Sequence, residues 1–278
     1  MATLRLISIG ILIALALALG LALASTPERA TRRAKQWFRK GFCRLACKAL
    51  GIDVEADGTI PDDGPILLVA NHISWTDVLA LGSRKDIVFL ARHDLATWPV
   101  LGALARAYGT LFVERGRKRQ IPEVNRQMAL SMERRQIVAL FPEATTGDGT
   151  RLRTFNSSHF AAARDLLLRR PEITVVHVMP VVIAYTRGGG LPLGRAGRAC
   201  VAWYGDTDFA PHLIDLVHGG RTKCRIRFLP SIRFDRATDR KVVTREAAAA
   251  IRAAFRVEIM ERVREDRSAY VLSGRQVV

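Results

Sequence analysis

Ile66-Leu67-Leu68-Val69-Ala70-Asn71-His72-Ile73-Ser74-Trp75-Thr76-Asp77 is the stretch from which the rest of the chain is read. Its first five residues form an apolar run of the length of a buried strand. A histidine and an aspartate five positions apart follow at once. A neutral imidazole can take a proton at cell pH, and a carboxylate can hold its tautomer. Together they are the minimum equipment for activating a hydroxyl group. By itself the pair also fits a helix start in which Ser74 or Thr76 caps and Asp77 complements the helix dipole.

Outward from this stretch the chain alternates strand-like and helix-like segments. Strands are expected at 66–70, 87–91, 110–113, 137–141, 173–184, 199–203 and 224–229. Helices are expected at 76–82, 97–107, 121–135, 157–169 and 244–264. Gly and Pro mark the turns, as in Asp62-Asp63-Gly64-Pro65. This alternation predicts an α/β fold, layered, with a mostly parallel central sheet flanked by helices. Residues 51–278 contain no internal repeat and no linker long enough to divide them.

Three later segments carry residue types that an activated hydroxyl would need beside it. Gly109-Thr110-Leu111-Phe112-Val113-Glu114-Arg115 reads as a strand presenting Arg115 at its end, with Arg117, Lys118 and Arg119 just beyond. An Arg fork matches phosphate oxygens, although a solvated charge run is the commoner fate of such a cluster. Phe141-Pro142-Glu143-Ala144-Thr145-Thr146-Gly147 follows the run 137–140. Open α/β sheets bind ligands at the carboxyl ends of their strands. Val178-Met179-Pro180-Val181-Val182 places a proline inside a strand-like run, which marks an edge or bulge.

These four blocks, in this order, resemble the glycerolipid acyltransferase family. Its signature is an N-H-x4-D block, a G-x-x-F-x-x-R block, an F-P-E-G-T block and a proline-containing fourth block. The motifs cover roughly 66–184, and the bacterial 1-acylglycerol-3-phosphate acyltransferase type is the nearest in pattern. Relatives that acylate lyso-ornithine lipid are similar in the same blocks. The resemblance implies His72 as general base and Asp77 as its orienting group. It further implies Arg115, Glu143 and Thr145 at the acceptor, with Pro180 lining the acyl or acceptor pocket. The donor would be acyl-CoA or acyl carrier protein, as a co-substrate rather than a cofactor. The expected acceptor is 1-acylglycerol 3-phosphate, giving phosphatidic acid in phospholipid synthesis, with lyso-ornithine lipid as the alternative. Ala144 departs from the family, which usually has Gly there. Ala would be strained by about 1 kcal/mol if the position needs positive φ.

Other chemistries lack their residues. No G-x-S-x-G elbow exists, so a serine nucleophile or esterase is not proposed. No metal is expected, since His93 with Asp94, and His159, lack ligand spacing. Cys43, Cys47, Cys200 and Cys224 form no zinc module and read as reduced thiols.

Size and charge decide the setting. The chain has 278 residues, 49% hydrophobic, and a formal charge of +17. So basic a chain points to an anionic partner. Leu6 to Ala24 carries no charge and, Ser8 aside, only Ile, Leu, Ala and Gly. A membrane span needs about 20 such residues. Arg29, Arg32, Arg33, Lys35, Arg39 and Lys40 follow, placing that side in the cytoplasm by the positive-inside rule. A cleavable signal could end at Ala22-Leu23-Ala24, but the apolar run is long and the flanking charge opposes export. Residues 28–50 alternate Trp37, Phe38, Phe42, Leu45 and Leu50 with basic residues, which suits a membrane interface. The expected plan is therefore a transmembrane anchor at 1–27, a basic amphipathic helix at 28–50 and the acyltransferase domain at 51–278. Its place is the inner, cytoplasmic membrane, with the catalytic domain on the cytoplasmic side facing anionic lipids. No zinc-finger spacing or aromatic RNA-binding signature supports nucleic acid. A membrane-tethered lipid-binding protein without catalysis is the rival of another class.

Overall fold

The run 66–70 is a central strand, β2 (Ile66–Ala70), and each of its residues is buried. A strand apolar at every position has helices or loops over both faces of its sheet. The computed structural model describes residues 2–24, 28–114 and 118–272. Arg115 therefore lies outside the described residues.

Strands β1 (Ile52–Asp57), β3 (Ile87–Arg92), β4 (Leu111–Val113), β5 (Ile137–Leu140), β6 (Val176–Gly188) and β8 (Thr222–Phe228) complete the main path of the sheet. Its order is β1-β8-β6-β2-β5-β3-β4, with β7 (Leu191–Pro192) and β9 (Ile232–Phe234) also pairing β6. The neighbours of β2, namely β5 and β6, are both parallel to it. The antiparallel pairs are confined to β6 with β7, β8 and β9. The sheet is thus mixed and mostly parallel, and the layered α/β expectation holds.

β8 shows how the sheet ends toward solvent. Thr222, Cys224, Ile226 and Phe228 are buried, and the alternate residues Lys223, Arg225 and Arg227 are not. Those cations meet Glu55, Asp57 and the buried Glu258. Period two sends one set to the core and the other to ion pairs.

The helices are α1 (Ala2–Ala24), α2 (Glu28–Leu50), α3 (Thr76–Arg84), α4 (Pro99–Ala107), α5 (Ile121–Glu133), α6 (Ala161–Arg169), α7 (Arg195–Val201), α8 (Phe209–His218) and α9 (Arg240–Leu272). Pro opens α4 at its first position, where no helical N–H is lost. α5 ends with Arg135 at φ 59, where Gln136 N–H bonds the Ser131 carbonyl and Arg135 N–H the Met132 carbonyl. That is the left-handed cap usually given to Gly.

α2 is amphipathic as expected, but its apolar face is divided. Cys43, Ala46, Cys47 and Leu50 are buried, while Trp37 and Leu45 stay exposed. α2 and α3 approach so closely at Gly82 that a Cβ there would sit 2.7 Å from Cys43 Sγ. An Arg39–Asp86 pair, with both hydrogen bonds at 2.7 Å, fastens α2 to the turn after α3. The cysteines are free, and burial pushes the Cys47 thiol up to about 12.

α1 holds the stretch Ala2–Gly20, long and apolar enough to cross a membrane by length and composition. Leu4, Ile7, Ile11, Leu15 and Leu19 form an exposed stripe along it. Its other side lies on α2, α4 and α8. Arg5 donates to the carbonyl of Val217 at the end of α8, and Gly20 lies against Ala107 and Phe38. The helix is thus tied to the globular part near both ends.

Two corrections concern the sheet. Residues 199–203, expected as a strand, instead end helix α7 and enter a loop. A short apolar run is ambiguous between strand and buried helix, and here Trp203 N–H bonds the Ile73 carbonyl instead of a sheet edge. The run expected at 173–184 begins later and extends to Gly188. β1, β7, β9 and α8 were not foreseen.

Candidate active site

β2 and β5 are parallel neighbours, with Val69 beside Leu140. The loops that leave their carboxyl ends therefore meet. One carries His72 and the other Glu143.

His72 is held through its backbone and its ring. Asn71 uses its side-chain amide as an extra rung of the β2–β6 ladder, donating to the Ile183 carbonyl and accepting from the Ile183 N–H, both at 2.9 Å. His72 N–H donates to Glu143 Oε1 at 2.9 Å, and the His72 carbonyl accepts from Gly147 N–H at 2.9 Å. The loop after β5 thus grips the same residue at both ends of its backbone. The imidazole stacks on Phe141 at 4.1 Å between ring centres.

Asp77 lies in the first turn of α3, fully buried. Its Oδ2 is 2.8 Å from His72 Nδ1 and accepts the N–H groups of Ile73 at 2.7 Å and Ser74 at 3.0 Å. Its Oδ1 accepts the Tyr185 hydroxyl at 2.8 Å. An ionised carboxylate only accepts, so Nδ1 must carry the ring proton. Nε2 is then the nitrogen left to act as base.

Glu143 is buried, and its second oxygen accepts the Arg153 N–H at 2.7 Å. Burial pushes its pKa up, against the bonds from Arg153 and His72 that pull it down. Both oxygens serve backbone groups, so the carboxylate braces the loop. Ala144 follows with φ 59. The family's usual Gly is therefore replaced at a position that does demand left-handed backbone. Thr145 is half-buried in the same loop. Thr146 donates its hydroxyl to the Trp203 carbonyl, which brings the loop after α7 to the site.

Pro180 sits in the sheet opposite Val69, where the partner of β6 changes from β9 to β8. It is outside the lining of the cavity described below. Its missing N–H falls at the break between two partner strands. The residues weighed for metal form no cluster of three or more potential ligands among the described residues. His93 is exposed, Asp94 pairs with Arg92, and His159 Nδ1 meets Asn125 Oδ1 at 2.9 Å.

A cavity of about 350 Å³ lies beside this centre, under α1. Ile9, Leu12, Ile13, Val78, Leu79, Phe89, Trp98, Leu101 and Phe209 are among its lining residues. Phe89 stacks on Phe141, the ring that also faces His72. Trp75, Trp98 and Trp203 surround Phe209 at its rim. The His72–Asp77 pair is thus joined through the rings of Phe141 and Phe89 to an apolar chamber, the form of a pocket for a ligand with a long apolar part.

A family model described as Acyltransferase matches residues 51–184. The chain is 39% identical over 224 residues to a lyso-ornithine lipid O-acyltransferase of Rhizobium meliloti, across 79% of this chain and 75% of that protein. The chain belongs to the glycerolipid acyltransferase family. It is an O-acyltransferase. A lyso-ornithine lipid O-acyltransferase of Brucella abortus is 33% identical, across 80% of this chain and 82% of that protein. A 1-acyl-sn-glycerol-3-phosphate acyltransferase of Neisseria gonorrhoeae is 36% identical over 121 residues, 43% of this chain and 48% of that protein. The fold matches the crystal structure of the 1-acyl-sn-glycerophosphate acyltransferase PlsC of Thermotoga maritima with a TM-score of 0.61 at 16% identity. That match covers 92% of this chain and 97% of PlsC. As a member of this family, the acyltransferase brings His72, Asp77 and Glu143 together. Asn71 and Tyr185 were missed as site residues. Asn71 stood beside His72 in the first block, but Tyr185 is 108 positions from Asp77 and carries no local signal.

Proposed function

We propose that this enzyme transfers a fatty acyl group from acyl-CoA or acyl carrier protein to the hydroxyl of a lysolipid, with His72 as the general base. The observation that carries the reading is the His72 Nδ1–Asp77 contact of 2.8 Å at the carboxyl end of β2. Nε2 takes the acceptor's hydroxyl proton as the oxygen attacks the thioester carbonyl. The tetrahedral oxyanion collapses, the C–S bond breaks, and His72 returns the proton to the departing thiolate. Backbone N–H groups at Thr145 and Thr146 are our choice for the oxyanion donors. Glu143 serves by holding His72, and Arg115 takes the acceptor's anionic group. The apolar cavity receives an acyl chain.

For the acceptor, lyso-ornithine lipid leads. Relatives so named match in sequence across most of both chains, whereas the two Neisseria 1-acyl-sn-glycerol-3-phosphate acyltransferases match in sequence over less than half of each. The second reading, 1-acylglycerol 3-phosphate, is favoured by the same motif blocks and by the basic run 115–119. The membrane is where both acceptors reside. α1 is our membrane anchor, through its stripe Leu4, Ile7, Ile11, Leu15 and Leu19. The basic surface then faces anionic lipids on the cytoplasmic side of the inner membrane.

The test is purified protein with labelled acyl donor and, separately, lyso-ornithine lipid, lysophosphatidic acid and glycerol 3-phosphate. Lyso-ornithine lipid should be acylated fastest. His72→Ala should lose about 10²–10⁴-fold in turnover, the usual contribution of a positioned base, while still binding vesicles. Turnover near the wild-type rate in that variant would refute the mechanism.

A further inference from the structure

Asp77 is served by more than the histidine it orients. Tyr185 lies on β6, fully enclosed, and donates its hydroxyl proton to Asp77 Oδ1 at 2.8 Å. Thr76 Oγ1 stands 2.6 Å from the Tyr185 oxygen. Tyr185 has one proton, and Asp77 as a carboxylate can only accept it. Thr76 is therefore the donor to Tyr185. The hydroxyls form a directed chain, Thr76 to Tyr185 to Asp77, ending at the oxygen that His72 does not use. Such a chain polarises its members in one direction. β6 is irregular just beyond, where its register with β8 shifts between Tyr185 and Arg187.

We propose that Tyr185 is a positioning residue of the catalytic pair, acting through Asp77, with Thr76 setting the direction of its hydroxyl. This rests on the reading of His72 as the base. The Tyr185 proton draws charge from Asp77 Oδ1 and fixes the plane of the carboxylate, so that Oδ2 meets Nδ1. Without it the carboxylate presents more charge to the imidazolium, and His72 holds its proton more tightly. The base then becomes available only at higher pH.

Several other titratable groups face this pair. Glu143 acts on both His72 and Asp77 from the loop after β5. Cys224 on β8 acts on Asp77, and Cys47 on α2 and Arg84 on α3 act on Cys224. Burial keeps the Tyr185 and Cys224 protons in place far above neutral pH. Tyr185→Phe removes the phenol hydroxyl together with its hydrogen bond to Cys224 and leaves the other groups as they are, so a difference between the two profiles reads that hydroxyl.

The experiment compares pH profiles of kcat/KM for the full chain in detergent or vesicles with labelled acyl donor. Tyr185→Phe keeps the ring and removes only the hydroxyl. It should lower kcat/KM by about tenfold, the scale of one hydrogen bond to a charged acceptor. Its acidic limb should move upward by about half a pH unit or more. Thr76→Val should shift the limb in the same direction by less, and Thr76→Ser should restore the wild-type profile. An acidic limb in Tyr185→Phe that coincides with wild type overturns the proposal, whatever the loss of rate or thermal stability. Should Tyr185→Phe fail to fold, identical profiles for Thr76→Val and Thr76→Ser overturn it instead. Retained turnover in His72→Ala would sink the general-base reading itself, which is a separate result.

Discussion

Replacing Ala144 with Gly should make the protein more stable, and the expected size follows from three observations. Ala144 has φ 59, its N–H closes a turn onto the Phe141 carbonyl at 3.1 Å, and the residue is exposed. A non-glycine residue in this region costs roughly 1–2 kcal/mol from the clash of Cβ with the next carbonyl. Glycine returns that cost but gives back roughly 0.4–1 kcal/mol through a freer unfolded chain. Exposure means that the lost methyl removes no core contact. The net gain should be about 0.5–1 kcal/mol, which for a domain of this size moves the midpoint up by roughly 1–4 °C. Arg135→Gly supplies the control. Arg135 has the same φ of 59 in the cap of α5, remote from His72 in the fold. Both variants should gain similar stability in thermal and denaturant unfolding of detergent-solubilised protein, and only Ala144→Gly should alter kcat. The reason for that difference is local. Ala144 stands between Glu143, which holds His72 N–H, and Gly147, which holds its carbonyl. Equal or lower stability in Ala144→Gly, beside a stabilised Arg135→Gly, would refute the strain argument at this turn.

Two further outcomes can be stated. Burial raises the Glu143 pKa above its unfolded value. The native state then binds the proton more tightly, so this group costs stability above its folded pKa and the cost fades as pH falls through the range down to its unfolded pKa. Wild type should therefore gain stability relative to Glu143→Gln as pH falls from 7 toward 4, read by denaturant midpoints; a relative loss would contradict the sign. Replacing Leu4, Ile7, Ile11 and Leu15 together with Ser should release the protein from lipid vesicles in flotation while leaving its fold intact, because those side chains are exposed. Unchanged flotation would move the anchor elsewhere.

The sequence made the centre of the sheet legible for a physical reason. β2 is apolar at every position because it is covered on both faces, and such a run needs no tertiary information to be found. The His72 and Glu143 loops were legible because each directly follows a strand that reads the same way. α7 was not, since Ala199 to Trp203 is a short apolar run that suits either a strand or a helix. β1 was missed although Ile52, Val54 and Ala56 alternate with Asp53, Glu55 and Asp57 in the period of a half-buried strand; the partners of those acidic residues lie on β8, about 170 positions away. The role of Glu143 was legible only as a site residue. That it faces backbone N–H groups requires knowing that the chain returns to Arg153. Tyr185 is the extreme case, since its contact with Asp77 depends wholly on how β6 is placed beside the loop and helix that follow β2.

What unites the site is that its strained and costly features converge on one residue. The buried Glu143 carboxylate costs stability when ionised, and Ala144 costs more through its φ. Neither feature adds to the core, yet both lie in the seven-residue loop 141–147 that binds His72 at its N–H and its carbonyl. The general base we propose in His72 transfers protons in both directions within one turnover, which needs a fixed ring more than a stable loop. Strain held at a functional turn and offset by the buried sheet behind it is the expected arrangement. The cavity under α1, which we propose receives the acyl chain, has an apolar lining and imposes no such geometry.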